Sequence, residues 1–251
     1  MDVPAWIIGS GPHRVLVAHD WFVPTGAWGC FPEYLDGSRF SYALMDACGY
    51  GRRRDVPGEY TVEEMAGDLI ALADQLGWDR FSLVGHSMGG KAIQRVLADA
   101  PERVRRLVAV TPTPAGRVTL TARQRAAFAA AAHSPAGRRE LLDHATGNRA
   151  GTAWLDHMVN VSMRGSTPAA FAAYPRSFLH TDFAGDVTGD PTPVKAIAGQ
   201  YDRAIPEDAV RAAWSACYPN VRIQVLANTG HYPMHETPVA LAASIESFLL
   251  S

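Results

Sequence analysis

Short apolar runs rich in branched side chains recur along the chain, and amphipathic segments separate most of them. The runs span residues 14–20, 42–49, 80–87, 104–112, 192–202 and 221–231. Each run has the length of a buried strand, whereas the amphipathic segments have the period of helices. The alternation predicts an α/β fold with a mostly parallel sheet and helices on both faces.

The clearest helix pattern lies at residues 60–78. Its apolar residues recur at helical spacing, so that they share one face. Thr61 and Glu64 have the spacing of a capping box, which predicts that the helix begins there. Two further helices are predicted, one directly after Ser87 and one over residues 238–250.

Between residues 116 and 190 alanine-rich segments that carry arginine replace the strand pattern. Breaks at HSPAG, TGNRAG, RGSTP and AYPRS predict three or four short helices. We therefore predict a core formed by residues 1–115 and 191–251 and a helical insertion formed by residues 116–190. The N-terminal segment has room for one short strand near Ala5–Ile8. An exposed edge strand can pair with another chain, so a homodimer is one possible assembly.

The composition is that of an ordinary globular protein, because 47% of the 251 residues are hydrophobic and 19% are charged. Such a chain buries a large interior, which excludes disorder of the whole chain. The 23 basic and 25 acidic side chains nearly cancel. We therefore expect no nucleic-acid partner and no membrane partner, and a small molecule as the ligand.

The N-terminal residues lack a basic segment followed by a long apolar stretch, and no apolar run has the length of a membrane span. We therefore expect a cytoplasmic protein. Cys30, Cys48 and Cys217 are too widely spaced for a zinc site or a disulfide framework. The sequence thus predicts reduced cysteines, no metal and no cofactor.

One pentapeptide carries candidate chemistry: Gly85-His86-Ser87-Met88-Gly89 lies between a predicted strand and a predicted helix. In such a corner the serine is presented on a strained turn, and larger residues in place of the glycines would collide with neighbouring elements. A serine hydroxyl is a poor nucleophile at neutral pH. It needs a base within reach and a further group that orients the base.

Two residues at the ends of later strands meet that need. Asp202 follows one strand in GQYDRAIP, and His231 follows the last strand in NTGHYPMHETP. The carboxyl ends of parallel strands meet at one sheet edge, so these residues can assemble beside Ser87. We predict Ser87 as the nucleophile, His231 as the base and Asp202 as the acid that orients the base.

The chain resembles the α/β-hydrolase superfamily over essentially its whole length. The segments that carry the resemblance are HD after the first long run, DACGYG after the second, the GHSMGG corner, GQYDRAIP and TGHYPMHETP. GHSMGGKA is also similar to the corner of small acyl-esterases in that superfamily. The resemblance implies the α/β-hydrolase fold. It further implies that the helical insertion is a cap, or lid, placed before the strand that carries the acid.

The resemblance also implies an oxyanion hole made by two backbone N–H groups, those of Met88 and Trp21. Here the chain departs from the family, because Asp20 stands where relatives carry glycine. A carboxylate facing a forming oxyanion would repel it. We therefore expect Asp20 to point away from the hole, toward an arginine of the run 52–54.

Several other residues compete for the roles of base and orienting acid. His86 lies inside the corner, and His19 holds a position that is structural in relatives. The remaining alternatives are His180 and His235 for the base and Asp186 and Asp190 for the acid. Pro233 separates His231 from His235, which argues against a metal-binding pair on one helix.

We expect a serine hydrolase that cleaves a carboxylic ester or a related small acyl substrate through an acyl-enzyme intermediate. The same three residues would also serve a lactonase, a carbon–carbon bond hydrolase, a thioesterase or a cofactor-free haloperoxidase or perhydrolase. A receptor that turns over a small ligand slowly is a further alternative. Substrate choice is expected to depend on five aromatic residues, namely Trp28, Trp154, Phe171, Tyr174 and Phe178.

Overall fold

A computed structural model describes residues 3–251 and confirms the predicted sheet. The strands are β1 (Ala5–Ile8), β2 (His13–Ala18), β3 (Phe40–Met45), β4 (Phe81–His86), β5 (Val104–Val110), β6 (Val194–Gly199) and β7 (Arg222–Leu226). Their order across the sheet is β1-β3-β2-β4-β5-β6-β7. Only the pairing of β1 with β3 is antiparallel, so the carboxyl ends of the other strands meet at one edge.

Ten α-helices accompany the strands within residues 3–251. They are α1 (Val62–Gln75), α2 (Met88–Asp99), α3 (Ala122–Ala131), α4 (Pro135–Ala145), α5 (Thr152–Gly165), α6 (Pro168–His180), α7 (Ala184–Val187), α8 (Glu207–Cys217), α9 (Pro233–Glu236) and α10 (Pro238–Leu250). Five of them, α3–α7, lie between β5 and β6. The prediction of three or four helices there was one too low. The additional helix is α7, a single turn of four residues that the sequence pattern did not indicate.

The start of α1 corrects one detail of the sequence interpretation. The Thr61 hydroxyl accepts the Glu64 N–H at 3.0 Å, as a capping residue does. The Glu64 carboxylate, however, accepts the N–H groups of Glu59 at 3.0 Å and Tyr60 at 2.9 Å instead of that of Thr61. Tyr60 has a left-handed backbone, with φ 57°, which curls the preceding amides around the carboxylate. Only half of the predicted capping box therefore forms.

Helix α8 was not predicted, although Val210, Trp214 and Cys217 give it a buried face with helical spacing. It connects β6 to β7 and covers one face of the sheet. The proposed boundaries at residues 115/116 and 190/191 stay a prediction, and residues 1 and 2 of the predicted core lie outside the described range. None of the helices in residues 3–251 has the length and apolar character needed to cross a membrane.

The side chain of Lys91 ties the helical insertion to the core. Its Nζ donates to the carbonyl oxygens of Gly116 at 2.9 Å, Phe178 at 3.0 Å and Thr181 at 2.6 Å. Burial lowers the pKa of Lys91 to about 8. Because Lys91 lies on α2, directly after the Ser87 corner, the insertion is anchored beside the carboxyl edge of the sheet.

Candidate active site

Ser87 lies at the junction of β4 and α2 with φ 52° and ψ −112°. A non-glycine residue in this region is strained and persists only where its surroundings fix it. The flanking glycines leave the necessary space, because a Cβ at Gly85 would lie 2.4 Å from the carbonyl oxygen of Gly89. A Cβ at Gly89 would lie 2.5 Å from that of Ala18. The predicted sharp corner is therefore present.

Hydrogen bonds to the backbone of Ser87 fix this conformation. Its N–H donates to the carbonyl of Val110 at 3.0 Å, and its own carbonyl accepts the N–H groups of Gly90 at 2.9 Å and Thr113 at 3.1 Å. These partners belong to α2, to the end of β5 and to the loop that follows β5. The corner is thus held from both sides while the side chain stays partly exposed.

The structure brings His231 and Asp202 into direct contact. The Nδ1 of His231 lies 2.7 Å from Oδ2 of Asp202. The other carboxylate oxygen accepts the N–H groups of Ala204 at 2.8 Å and Ile205 at 2.9 Å, so the acid has one orientation. The imidazole donates its Nδ1 proton to this carboxylate, which leaves the Nε2 lone pair as the proton acceptor.

Opposing effects set the protonation of His231. Burial lowers its pKa, but the adjacent Asp202 carboxylate and the more distant carboxylates of Asp20 and Glu236 favour the imidazolium. The net result is a pKa above the usual histidine value. This is the electrostatic setting of a base that must carry a proton for part of a reaction.

His86, which the sequence offered as an alternative base, and Thr111, which it did not assign, hold the His231 loop against the serine corner. His86 donates its Nε2–H to the carbonyl of His231 at 2.8 Å, and the Thr111 hydroxyl donates to the same carbonyl at 3.1 Å. His86 directly precedes Ser87, so the two segments are neighbours. The Ser87 hydroxyl makes no hydrogen bond with His231 or Asp202 among the described residues.

The two predicted oxyanion donors have free N–H groups. Met88 is the first residue of α2, where the helix provides no acceptor for the N–H. The Trp21 N–H makes no hydrogen bond within residues 3–251, whereas the next two amides, those of Phe22 and Val23, each donate to Asp20 at 3.2 Å. The assignment of an oxyanion hole to Met88 and Trp21 stays a prediction.

Asp20 does not pair with an arginine, so that expectation was wrong. Its carboxylate is buried and accepts the phenol O–H of Tyr232 at 3.1 Å, in addition to the two amides of its own loop. Arg53, in the middle of the arginine run, binds Asp68 at 2.6 Å. The contact with Tyr232 joins the loop after β2 to the loop that carries His231.

The environment of Asp20 raises the pKa of its carboxyl. Burial raises the pKa of the Asp20 carboxyl above its ordinary value, although His19, His231 and the two amides oppose the shift. Its Oδ1 lies 4.0 Å from Nδ1 of His86, and that nitrogen is buried without a hydrogen-bond partner. Burial also lowers the pKa of His86.

Four of the five predicted aromatic residues lie around these loops. The indole of Trp21 packs against Phe171 at a centroid distance of 4.4 Å and Phe178 at 5.9 Å. Trp28 faces the His86 ring at 6.3 Å. Trp154 of α5 contacts Tyr232, and the centroids lie 5.6 Å apart.

Tyr174 lies elsewhere and packs against Tyr50 and Tyr60. Its hydroxyl donates to the carbonyl of Cys48 at 3.2 Å, and its ring is completely buried. The structure therefore places Tyr174 in the packing between α6 and the loop after β3.

Three of the other candidates for base and acid, namely His19, Asp186 and Asp190, have structural partners, whereas Nε2 of His235 is buried without a hydrogen-bond partner among the described residues. His19 donates from Nδ1 to the carbonyl of Asp20 at 2.6 Å and accepts the Ala47 N–H on Nε2 at 3.0 Å, so both ring nitrogens are occupied. Asp186 binds Arg95 at 2.9 Å. Asp190 accepts the N–H of Thr192 at 2.8 Å. Among residues 3–251 no group of three His, Cys, Asp or Glu side chains is arranged to hold a metal ion.

The sequence profile of the alpha/beta hydrolase fold family matches residues 17–238. The chain belongs to this family. A pimeloyl-(acyl-carrier protein) methyl ester esterase from Nitrosomonas europaea is 28% identical to it over 242 residues. The match covers 92% of each chain.

Solved structures of other α/β hydrolases superpose closely. An esterase from Exiguobacterium antarcticum has a TM-score of 0.89 at 18% identity and covers 99% of this chain and 96% of its own. A bromoperoxidase from Bacillus anthracis has a TM-score of 0.88 at 19% identity and covers 98% of this chain and 95% of its own. At these identities the likeness shows the fold alone.

Proposed function

We propose that this α/β hydrolase is a serine esterase that acts through an acyl-enzyme intermediate on a small carboxylic ester. One observation carries the proposal: the hydrogen-bonded His231–Asp202 pair is fastened, through the His231 carbonyl, to the segment that presents Ser87 on a strained corner. The likeness to a methyl ester esterase over 92% of both chains supports an ester as the substrate.

In this mechanism the Ser87 hydroxyl attacks the ester carbonyl while Nε2 of His231 takes its proton. Asp202 keeps the ring in the tautomer that accepts at Nε2 and stabilises the imidazolium that forms. The N–H groups of Met88 and Trp21 donate to the oxyanion, and each such donor contributes roughly 2.7–4 kcal/mol to the transition state. His231 then gives the proton to the departing alcohol.

The second half of the reaction repeats these roles with water. His231 deprotonates a water molecule that attacks the acyl-Ser87 ester, and the oxyanion forms between the same donors. Collapse of this intermediate releases the carboxylic acid and returns the proton to Ser87. Phe178, packed against Trp21, contacts the acyl chain in this proposal, and Phe171 packs behind the Trp21 indole.

The test is a panel of methyl esters, lactones and thioesters assayed with the wild type, Ser87→Ala and Ser82→Ala. Ser82 lies on the same strand, at the far end from the corner, with its hydroxyl 2.9 Å from Nε2 of His13. We expect Ser87→Ala to lose at least about 10⁴-fold in kcat, and Ser82→Ala to retain activity. Full activity of Ser87→Ala would exclude the mechanism.

A fluorophosphonate label distinguishes an enzyme from a slow receptor. Rapid labelling of Ser87 together with turnover of an ester supports the esterase. Labelling of Ser87 with negligible turnover across the whole panel would instead favour the receptor. Preferential hydrolysis of lactones or thioesters would keep the mechanism and change the substrate class.

A further inference from the structure

Asp20 is a buried acid whose carboxylate joins two loops of the candidate site. Its Oδ2 accepts the N–H of Phe22 at 3.2 Å and the hydroxyl of Tyr232 at 3.1 Å, and its Oδ1 accepts the N–H of Val23 at 3.2 Å. The residue is 1% exposed. Burial of a carboxylate is costly, and hydrogen bonds to neutral donors offset part of that cost. The esterase mechanism takes no proton from Asp20, so its burial here points to another role.

The backbone of the Asp20 loop lies beside the serine corner. Ala18 of β2 pairs with Gly85 of β4, so the residues two positions after each of them, Asp20 and the nucleophile, leave the sheet side by side. The first turn of α2 packs against the same loop, because a Cβ at Gly89 would lie 2.6 Å from the carbonyl oxygen of His19. The loop is therefore close to the place where the oxyanion forms.

The peptide group between Asp20 and Trp21 has a fixed orientation. Nε2 of His19 accepts the Ala47 N–H at 3.0 Å, so the proton of the neutral ring is on Nδ1, which donates to the Asp20 carbonyl at 2.6 Å. In this trans peptide the carbonyl and the following N–H point in opposite directions. The Trp21 N–H therefore points away from the His19 ring. The next carbonyl, that of Trp21, accepts the Tyr50 hydroxyl at 2.5 Å.

The Asp20 side chain braces Trp21 from the other side. The two amides that follow Trp21 both donate to the Asp20 carboxylate, so residues 20–23 form a turn that a side chain closes. The Tyr232 hydroxyl holds the same carboxylate. Because Tyr232 directly follows His231, this contact also ties the turn to the loop that carries the base. The predicted oxyanion donor thus belongs to a turn that is fixed on both sides.

We propose that Asp20 is a positioning residue, held by Tyr232, that fixes the Trp21 N–H for the oxyanion that forms on the substrate. This inference rests on the proposed esterase function and gives a role to the acid that stands where relatives carry glycine. Without the carboxylate the turn loses three hydrogen bonds, and the Trp21 N–H is no longer held in the orientation that the oxyanion needs. An acid that only stabilised the loop would affect folding without a selective effect on the transition state.

The kinetic test compares Asp20→Ala with a matched control, Asp46→Ala. Asp46 is also buried and also accepts two amides and one hydroxyl, which belong to Thr25 and Arg52. On a methyl ester that the wild type hydrolyses, Asp20→Ala should lower kcat about tenfold to a hundredfold and change KM less than about threefold. The control should lose a similar free energy of unfolding and keep kcat within about threefold. An unchanged kcat in Asp20→Ala, or equal losses of kcat in both variants, would contradict the inference.

A trifluoromethyl ketone with the same acyl chain reports on the oxyanion directly. The Ser87 oxygen adds to the ketone carbon, the carbonyl electron pair moves to oxygen and His231 takes the serine proton, so the adduct carries an oxyanion without turnover. Its inhibition constant should rise in Asp20→Ala by about the factor by which kcat falls, and should stay near the wild-type value in Asp46→Ala. A loss of kcat without a parallel loss of ketone affinity would place the effect of Asp20 elsewhere.

Two smaller changes keep the test decisive if Asp20→Ala does not fold. Asp20→Asn keeps one oxygen that accepts an amide, and Tyr232→Phe removes only the hydroxyl that holds the carboxylate. We expect each to lower kcat and ketone affinity together, by about twofold to tenfold. Wild-type values of both quantities in both variants would overturn the positioning role.

Fluorine NMR of the bound ketone separates this inference from the esterase proposal, because it needs no turnover. A weaker adduct in Asp20→Ala, with no hydrolysis of any ester by the wild type, would support the positioning role and reject the esterase. Ester hydrolysis that depends on Ser87, with equal ketone affinity in the wild type and Asp20→Ala, would reject the positioning role and leave the esterase in place. Absence of an adduct with the wild type would contradict both.

Discussion

The carboxyl edge of the sheet and the helical insertion are held in place by different kinds of interaction. At the edge, backbone atoms fix the important groups: Ser87 is bonded through its own N–H and carbonyl, and Asp202 through two amides. The insertion is held by buried side chains, notably Lys91 on three carbonyls and Arg138 on two hydroxyls. The edge therefore tolerates little change in geometry, whereas single substitutions can alter the insertion.

The largest expected effect concerns the edge. Asp202→Asn should lower kcat/KM by about 10⁴-fold, because an amide cannot stabilise the imidazolium and favours the wrong histidine tautomer. The free energy of unfolding should change little, because the substitution keeps the size of the side chain. Asp190→Asn, at a turn away from His231, is the control and should keep its activity. A loss of less than tenfold in Asp202→Asn would remove Asp202 from the mechanism.

The next effect concerns the anchoring of the insertion. Lys91→Met leaves three carbonyl groups without their donor and should lower the free energy of unfolding by about 3 kcal/mol in urea titrations. Lys195→Met is a matched control, because Nζ of Lys195 donates to one carbonyl, that of Ser244 at 2.9 Å. We expect the control to lose about 1 kcal/mol. Equal losses would show that the contacts of Lys91 do not hold the insertion.

A smaller effect tests the strain at the corner. Ser87→Gly and Ser87→Ala should both be inactive, but glycine adopts a φ of 52° without the cost that alanine incurs. The glycine variant should therefore be more stable than the alanine variant by about 1–2 kcal/mol in denaturant titrations. Alanine as the more stable variant would show that the corner stores no strain.

The smallest effect is a shift along the pH axis. His231 must be neutral to act as a base, and its raised pKa predicts that kcat/KM falls as the pH drops through a value above about 6.5. Asp20→Asn removes one of the carboxylates that raise this pKa, so the acid limb should move to lower pH by less than about one unit. The groups that also face Asp20 are His19, His86, Tyr50, Tyr232 and His235. Tyr232→Phe keeps the Asp20 carboxylate, so it should shift the acid limb of the pH profile less than Asp20→Asn does.

The sheet could be predicted because its signals are local. Buried strands appear in the sequence as apolar runs. The glycines around Ser87 indicate a sharp corner, because larger residues would not fit there. The bounds of β1 and α10 agree with the prediction to the residue. The assembly of Asp202 with His231 follows from the common edge of parallel strands.

The rest depends on contacts between distant residues. The partner of Asp20 is Tyr232, 212 positions later, and no local pattern connects them. The burial of Arg138 depends on how α4 packs against α5 and α6, whereas its sequence neighbour Arg139 stays at the surface. Two adjacent arginines thus have opposite environments that composition and periodicity do not distinguish.

The anchoring lysine joins two distant parts of the insertion. Gly116 lies near the start of the insertion, and Phe178 and Thr181 lie at the end of α6, yet the carbonyls of all three accept from one ammonium group. The start of the insertion and the end of α6 are therefore held together at the Lys91 side chain. Loss of this ammonium group would therefore release both segments from α2 at once. Since Lys91 and Met88 share the first turn of α2, the insertion is anchored on the same helix end that carries the proposed oxyanion donor.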